Sequence, residues 1–398
     1  MITEAERAVL DLVDEDELVA LTRELVRAPG ENPPGQEQAS ALALARLCGD
    51  RGLGVEVEEV APGRPNVVAT LPGGDGPGLL LLGHTDVVPV GTGWTADPFS
   101  AELRDGWVHG RGSADMKGGL AACLVAMDAV RRAGVDLPGP VLLAALVDEE
   151  DTGLGIRHHV GRGLPPLAGC VVAEPTDLRT VVAARGDSYL AYRVTGRAAH
   201  SGDPTEGRNA IVGAARVVAD LQQWHAELAG TRHPMVGPAT VSIGTVSGGQ
   251  GTSSVAADCQ LTVDRRLLPD EDPDVVLAEA RARLDALDLG RDDLTAELTM
   301  TMAMPGFATP ADHPWTTLVD GAVADAGGPG LPVAGWRAAC DGGFVARTGV
   351  PVVVMGPGSL DQAHRADERV EVAQLVTAAR AYVLMLLRLT PSHPAFRS

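Results

Sequence analysis

The sequence has few aromatic residues and few cysteines. Phe, Trp and Tyr together make up 3% of the 398 residues, although 45% of the residues are hydrophobic. Aliphatic side chains must therefore form most of the core. The five cysteines are scattered and include no Cys-x-x-Cys pair, which argues against both a disulfide framework and a cysteine-based zinc site. We expect reduced thiols and a cytoplasmic location.

Long apolar segments and an excess of basic residues are also missing. Apolar runs such as VLLAALV at 141–147 are much shorter than the roughly 20 residues of a membrane-spanning helix. The first segment, MITEAERAVL, lacks the basic start and apolar core of a signal peptide. The formal net charge of −21 would repel the phosphates of nucleic acid. We therefore expect neither a membrane nor a nucleic acid as partner.

Two kinds of strand pattern predict two domains. Aliphatic runs such as GLLLLG at 78–83 alternate with helical patterns, including one at about 116–133, as in an α/β domain whose mostly parallel sheet has helices on both faces. Between about 185 and 300 the strands alternate polar and apolar residues around two helical segments, which is typical of a smaller α+β unit. The predicted α/β catalytic domain comprises 1–184 and 301–398, and the inserted α+β domain comprises 185–300.

Metal-binding side chains follow several of the aliphatic runs. Because the carboxyl ends of parallel strands meet at one edge of a sheet, these side chains should lie close together. A further acid lies in the Gly-rich turn GRGSADMKGG, directly before a helix. Two imidazoles with several carboxylates suit zinc, as one ion or as a pair that shares a carboxylate. The residues are His84 and Asp86 after the first run, Glu149 and Glu150 after the second, Glu174 after the third, His364 after the last, and Asp115 in the turn.

Each of these motifs, taken alone, has a commoner structural explanation. Acids at the start of a helix interact with its macrodipole, a His after a strand is usually hydrogen-bonded, and a Gly-rich segment is usually a turn. Only the shared position after four strands predicts a metal site. The remaining histidines lack such a context and are predicted not to be ligands; they include His109, His158, His159 and His313.

Five motifs together resemble one enzyme family. GHTDVVP, GRGSADMKGG, DEE, AEPT and AHRADE occur in the order and at the spacings of the acetylornithine deacetylase / succinyl-diaminopimelate desuccinylase / carboxypeptidase family of zinc-dependent amidohydrolases. The resemblance runs from about Leu18 to Leu387. It implies two Zn²⁺ ions per chain, with Co²⁺ or Mn²⁺ as alternatives because these ligands discriminate weakly between metals. It also implies that Asp115 bridges the ions, with His84 and Glu174 on one ion and Glu150 and His364 on the other.

The same resemblance implies catalytic roles. Glu149 is expected to be the general base, and Asp86 is expected to orient the imidazole of His84. His200, in GRAAHSGDP, is expected to stabilise the tetrahedral intermediate, often from the partner subunit of a homodimer formed through the inserted domain. The family also suggests a cis peptide bond after Asp115.

Substrate contacts are expected from three segments. In TVDRRLLP the resemblance assigns a carboxylate-binding fork to Arg266, with Arg265 as the second choice. Gly356, in MGPGS, is expected to let the backbone approach the substrate. Ser253 stands where the family usually has Asn, and a hydroxyl can replace only part of the hydrogen bonding of an amide. This departure leaves open whether substrate choice matches that of the biosynthetic deacylases.

The leading hypothesis is hydrolysis of the amide bond of an N-acyl amino acid. A dipeptidase or carboxypeptidase is the alternative within the same class, with a dipeptide as substrate. A non-hydrolytic zinc-binding protein is the alternative from another class, although the retention of Glu149 and of every expected ligand argues against it. A serine hydrolase is disfavoured because the sequence contains no Gly-x-Ser-x-Gly elbow.

Overall fold

A computed structural model describes residues 1–389, and its chain divides into two compact units. The first unit comprises Met1–Val182, Ala308–Gly335 and the residues from Asp341 onward, and the second comprises Ala183–Phe307 and Trp336–Cys340. The sequence-based boundaries were 184/185 and 300/301. Residues 390–398, which the sequence assigns to the catalytic domain, lie outside the described residues.

Helices and strands alternate along the described part of the chain. The helices are α1 (Glu4–Leu10), α2 (Glu15–Arg27), α3 (Gln38–Asp50), α4 (Gly118–Arg132), α5 (Leu154–Gly161), α6 (Ala210–Leu228), α7 (Pro273–Ala286), α8 (Pro314–Asp325), α9 (Gly342–Ala346) and α10 (Val372–Arg388). The strands are β1 (Gly54–Ala61), β2 (Arg64–Leu71), β3 (Gly78–His84), β4 (Glu102–Arg104), β5 (Trp107–His109), β6 (Val141–Leu146), β7 (Leu167–Val172), β8 (Val181–Ala184), β9 (Asp187–Thr195), β10 (Arg232–His233), β11 (Gly237–Pro238), β12 (Thr240–Gly248), β13 (Asp258–Arg266), β14 (Thr295–Met304), β15 (Phe307–Ala308), β16 (Ala334–Trp336), β17 (Val352–Val354) and β18 (Arg369–Glu371).

The first unit is built on a mostly parallel sheet. Its strands follow the order β1-β2-β6-β3-β7-β17, and the contacts β6–β3, β3–β7 and β7–β17 are parallel. Every residue of β3 is buried, which explains why the strand is aliphatic on both faces. Strands β1 and β2 extend the sheet in antiparallel pairing. The predicted α/β fold class is therefore confirmed.

Helix α4 forms much of the helical layer of the first unit. Its residues from Gly118 to Val130 are buried, and it packs against α10 and α2. The basic pair Arg131 and Arg132 lies in its last turn, where positive charge interacts favourably with the helix dipole. Gly134 follows with a φ of +65°, as expected at a helix end. The helix predicted at about 116–133 is confirmed.

The second unit is an antiparallel sheet with a helical layer. Its strands follow the order β12-β13-β9-β14, and β13 alternates buried and more exposed residues, which is typical of a sheet with one face in the core. The core lies between this sheet and helices α6 and α7, and Trp224 is the largest of its fully buried side chains. Asn209 caps α6 by accepting the N–H groups of Ile211 and Val212.

Two general features of the chain complete the fold. Among the described residues, no helix has both the length and the apolar character needed to cross a membrane. All five cysteines are buried free thiols, as predicted from their scattered positions and the absence of a Cys-x-x-Cys pair.

Candidate metal centre

The ends of three neighbouring parallel strands carry the polar residues predicted from the sequence. His84 is the last residue of β3, Glu149 and Glu150 follow β6, and Glu174 follows β7. Because β6, β3 and β7 run side by side in the same direction, their carboxyl ends deliver these side chains to one edge of the sheet. The site therefore forms where buried aliphatic strands meet turns.

The structure brings all five predicted ligands together. Three groups, each with potential ligand atoms within 4.8 Å of one another, share members: His84 with Asp115 and Glu174, His84 with Glu149 and Glu150, and Asp115 with Glu150 and His364. Overlap between the groups makes them one cluster. None of His109, His158, His159 and His313 belongs to such a group among the described residues.

Asp115 lies at the centre of this cluster. One of its carboxylate oxygens is 3.2 Å from Nε2 of His84, and the other is 3.3 Å from Nε2 of His364. Glu174 lies 3.3 Å from the same nitrogen of His84, and Glu150 lies 3.0 Å from that of His364. The side chains thus fall into the two sets that the resemblance implies, with Asp115 common to both. His364 is 53% exposed, so solvent reaches the cluster on that side.

A tight turn places Asp115. Gly112 begins the turn with a φ of +82°, and the bond between Asp115 and Met116 is cis, as expected from the resemblance. Helix α4 starts directly afterwards, at Gly118. Asp115 is therefore held just before α4, on the helical layer of the first unit. Its carboxylate faces His84, at the end of β3.

The electrostatics of the cluster are those of acids held close together away from water. Burial, together with Asp115, raises the pKa of Glu174 to about 7. Burial and the nearby Glu174 and Glu150 raise the pKa of Glu149 well above its usual value. Hydrogen bonds to Asp115 and Glu150 raise the pKa of His364 to about 10. A divalent cation would relieve this repulsion and displace the bound protons, so the donor set fits one or two zinc-like ions.

The contact between Asp86 and the imidazole of His84 differs in one detail from the expected one. Nδ1 of His84 lies 3.0 Å from the backbone carbonyl oxygen of Asp86 and 3.5 Å from its carboxylate. The carbonyl is thus the better acceptor for the Nδ1–H that leaves Nε2 free to bind a metal. The carboxylate of Asp86 instead accepts the backbone N–H groups of Glu149 and Glu150, at 3.3 and 3.1 Å. Asp86 therefore connects the turn after β3 to the turn after β6.

A buried network behind the cluster was missed by sequence reasoning. The side-chain amide of Asn32 donates to Asp86 and to Asp148, both at 3.0 Å. Arg64 forms ion pairs with Asp148 and with Glu37, which is fully buried. Asn32 belongs to the segment ENPPG, which has the composition of an ordinary turn, and Arg64 begins a strand, so neither carries a motif that could have identified it.

His200 and Ser253 are neighbours in the second unit. Both residues are exposed, and the backbone of His200 pairs with Ser254. The carbonyl oxygen of Ser253 accepts the N–H of Ser201 at 3.0 Å, and Nδ1 of His200 accepts the N–H of Gly202, also at 3.0 Å. Their predicted roles in catalysis and substrate binding stay predictions.

The two candidate arginines already have carboxylate partners. The guanidinium of Arg266 lies 2.9 Å from Asp264 and 3.0 Å from Asp187. Arg265 is fully buried, pairs with Glu271 at 2.6 Å and lies over the ring of Trp224. A substrate carboxylate at Arg266 would share the guanidinium with Asp264 and Asp187, and Arg265 is held in the core of its unit. The substrate-binding role of Arg266 stays a prediction.

Gly356 is required by the packing beside Glu174. A Cβ added at Gly356 would lie 2.4 Å from the carbonyl oxygen of Ala173 and 2.6 Å from that of Glu174. Because no larger residue fits at these distances, the glycine lets the turn after β17 pass directly against the segment that carries Glu174. The close approach observed here is thus to the segment that carries Glu174, and the predicted approach to substrate stays a prediction.

Comparison with known proteins gives consistent relatives. The sequence profile described as "Peptidase family M20/M25/M40" matches residues 80–388. The chain is 33% identical over 332 residues to an acetylornithine deacetylase of Aliivibrio fischeri (strain ATCC 700601 / ES114), covering 82% of this chain and 84% of that protein. In structure it resembles an M20 family metallo-carboxypeptidase from Sulfolobus solfataricus, with a TM-score of 0.77, 18% identity and coverage of 93% and 99% of the two chains. It also resembles a dinuclear metal binding peptidase of the M20 family from Bacillus subtilis, with a TM-score of 0.71, 16% identity and coverage of 94% and 97%.

Proposed function

The chain belongs to peptidase family M20/M25/M40, and from this premise we propose that it hydrolyses the amide bond of an N-acyl amino acid with two zinc ions and Glu149 as general base. Members of this family are amidohydrolases and peptidases, so the protein is a metal-dependent hydrolase. Our proposal goes beyond this family-level activity in three respects, which are the identity of the metal ions, the general base and the substrate.

One observation carries the proposal: the two oxygens of Asp115 face two separate imidazoles. His84 lies at the first oxygen and has Glu174 beside its imidazole, and His364 lies at the second oxygen and has Glu150 beside its imidazole. A carboxylate that serves two neighbouring cations needs this arrangement. We therefore assign Asp115 as the shared ligand of a pair of Zn²⁺ ions, for which Co²⁺ and Mn²⁺ are alternatives.

The position of Glu149 supports a role in proton transfer beside this centre. When bound, the ions supply Lewis acidity and lower the pKa of a water molecule to about 7. The carboxylate of Glu149 lies 4.0 Å from Nε2 of His84, and its side chain is 11% exposed. From this position Glu149 takes a proton from the attacking water and donates it to the leaving amine. The bond from the Glu149 N–H to Asp86 holds the turn in place during both transfers.

The sequence relatives support an N-acyl amino acid as the substrate class. The acetylornithine deacetylase of Aliivibrio fischeri shares 33% identity over most of both chains, whereas the peptidase structures share less than 20% identity and support the fold alone. An N-acetyl amino acid is therefore the favoured substrate, and a dipeptide is the alternative. The serine at position 253 leaves the choice among N-acyl groups to experiment.

A substrate panel tests this assignment. We expect Nα-acetyl-L-ornithine or another N-acetyl amino acid to be hydrolysed faster than N-succinyl amino acids and dipeptides, because the N-acetyl group is that of the named relative. Amine release, followed with a fluorogenic amine reagent, gives kcat/KM for each compound. The Glu149→Gln protein, purified in parallel, measures hydrolysis by contaminating enzymes. A higher kcat/KM for dipeptides than for every N-acyl amino acid would replace the deacylase by a dipeptidase or carboxypeptidase.

We also propose that the second unit forms a homodimer that brings His200 to the partner's centre. Strand β12 is at the edge of the second unit's sheet, and an edge strand presents unpaired backbone groups. Val246 on this strand and Ile211 and Val212 on α6 are exposed apolar side chains. These features support pairing of two copies through this surface. A cytoplasmic location stays a prediction from the cysteine content.

Mixed dimers test the role of His200. We expect His200→Ala and Glu149→Ala each to abolish most activity, because one removes a donor to the intermediate and the other removes the base. If His200 acts across a dimer, unfolding and refolding the two variants together should restore roughly one quarter of wild-type activity, since half of the dimers are mixed and each holds one intact site. The measurement is amine release before and after mixing, with the dimer population checked by light scattering.

Self-mixed samples of each variant are the control, and these should stay inactive. An active His200→Ala protein would show that His200 is not required. Mixed dimers without recovered activity would place His200 and Glu149 of the same subunit in one site.

A further inference from the structure

A buried ion pair lies directly behind the turn that carries Asp115. The side chains of Glu368 and Arg111 are 1% and 2% exposed, and Arg111 Nη1 donates to Glu368 at 2.6 Å. The other carboxylate oxygen of Glu368 accepts two consecutive backbone N–H groups, from Ala114 at 2.9 Å and from Asp115 at 3.1 Å. Glu368 is not a member of any of the three potential metal-binding groups among the described residues.

Arg111 is itself held by several parts of the first unit. Its Nη1 also donates to the carbonyl oxygen of Arg365 at 3.2 Å, and its Nη2 donates to that of Pro89 at 3.4 Å. The guanidinium lies over the ring of Trp94, with 5.2 Å to the centroid. These contacts leave the arginine little freedom, so it presents a fixed positive charge to the carboxylate. A buried carboxylate without such a partner would be strongly unfavourable.

The ion pair connects the segments of two predicted metal ligands. Arg111 lies four residues before Asp115, and Glu368 lies four residues after His364. Strands β5 and β18 pair beside it, with Val108 opposite Val370, and the N–H of Gly110 donates to the backbone carbonyl of Glu368 at 2.8 Å. A displacement of Glu368 would therefore change the position of Asp115 relative to His364.

A second buried carboxylate beside the cluster also accepts two consecutive backbone N–H groups. The carboxylate of Asp86 accepts the consecutive N–H groups of Glu149 and Glu150, as that of Glu368 accepts those of Ala114 and Asp115. In both places a buried carboxylate fixes the backbone of an acid-bearing turn. A shared metal ligand needs such support because both of its oxygens must point correctly to within about 0.5 Å.

We propose that Glu368, balanced by Arg111, is a positioning residue that orients the carboxylate of Asp115 toward both metal ions and thereby sets the metal affinity of the centre. This inference rests on the proposed two-metal centre. Glu368 touches neither substrate nor metal in this proposal. It acts through the backbone of the Asp115 turn.

Metal titration of Glu368 variants tests the proposal. Metal-stripped wild type, Glu368→Gln and Glu368→Ala are titrated with Co²⁺, whose visible absorption reports ligand geometry, and Zn²⁺ affinity is measured by competition with a chelator. We expect affinity to fall by about 10–100-fold, the usual effect of losing a residue that supports a ligand. The loss should be smaller in Glu368→Gln, because the amide oxygen still accepts the two N–H groups. The Co²⁺ spectrum of both variants should also change.

Glu6→Gln is the matched control. Glu6 likewise accepts a backbone N–H, from Thr3 at 2.7 Å, and pairs with an arginine, Arg388, at 2.7 Å. It lies on α1 and is not a member of the metal-binding groups. We expect this variant to lose thermal stability without any change in metal affinity or in the Co²⁺ spectrum.

The outcomes separate this proposal from the function on which it rests. Wild-type affinity and spectrum in both Glu368 variants would overturn the positioning role and leave the two-metal centre intact. An equal loss of affinity in Glu6→Gln would also overturn it, because the effect would then be general destabilisation. If Glu368→Ala does not fold, Glu368→Gln decides alone. A wild-type protein that binds no Co²⁺ or Zn²⁺ would remove the proposed centre itself.

Discussion

Replacement of Glu149 by Gln is expected to lower kcat by about 10²–10⁴-fold, the usual contribution of a general acid–base group. Glutamine has nearly the shape of glutamate but cannot accept a proton from the attacking water. The backbone N–H of residue 149 still donates to Asp86, and Glu150 and His364 keep their contact. Metal content should therefore stay at the wild-type value. Steady-state kinetics on an N-acetyl amino acid and elemental analysis of the same sample measure both quantities.

Asp151→Asn is the control for this substitution. Asp151 is an exposed acid two residues further along the same turn, and it is not a member of the metal-binding groups. The Asp151→Asn protein should have the same kcat as the wild type. Wild-type kcat in Glu149→Gln would exclude Glu149 as the base, and a loss of metal in that variant would assign it a role in holding the ions.

Replacement of Asp115 by Asn is expected to abolish the metal centre. The side chain faces His84 with one oxygen and His364 with the other, whereas Asn has a single oxygen and no charge. One ion would lose its ligand atom and the other would keep only a neutral oxygen in place of a carboxylate, so metal content should fall. A metal ion contributes several kcal/mol of transition-state stabilisation, and kcat should therefore fall by about 10³-fold or more. Elemental analysis after dialysis and amine-release kinetics with added Zn²⁺ measure the two effects.

Asp128→Asn serves as the comparison for Asp115. Asp128 is also a buried acid, and it pairs with Arg131 on α4, away from the strand ends that carry the ligands. This variant should keep both metal and activity, even if it unfolds at a lower temperature. Chelation should inactivate the wild type, and added Zn²⁺ should restore its activity. Added Zn²⁺ should not restore activity to Asp115→Asn. Two tightly bound ions in Asp115→Asn would contradict a shared ligand at this position.

The members of the cluster that follow β3, β6 and β7 were predictable because these strands are of an unusual kind. A strand that is buried on both faces must be aliphatic throughout, so β3, β6 and β7 are visible in the sequence as unbroken runs. The first polar residues after each run mark the edge of the sheet. His84 and Glu174 therefore occupy positions whose proximity follows from the fold class alone.

The supporting residues could not be predicted in this way. Glu368 and Asp115 are 253 positions apart, and Asn32 and Asp148 are 116 positions apart. Glu368 ends the AHRADE motif, but nothing in that motif shows that its side chain reaches the Asp115 turn, and nothing in ENPPG distinguishes Asn32 from any other turn residue. For Arg266, too, the motif indicates a carboxylate-binding role but not the neighbours Asp264 and Asp187, which only the structure reveals.

The amino-acid sequence by itself determined the α/β class, the edge of the sheet at which polar side chains collect, and the set of imidazoles and carboxylates found there. These properties depend on hydrophobic periodicity and on the residues that end each run, which are local. Only the tertiary structure decided which oxygen of Asp115 faces which histidine, that the carbonyl of Asp86 and not its carboxylate lies nearest His84, and that Glu368 holds the Asp115 turn. Such contacts depend on distances and directions between segments that are remote in sequence, and these are defined only when the core has packed.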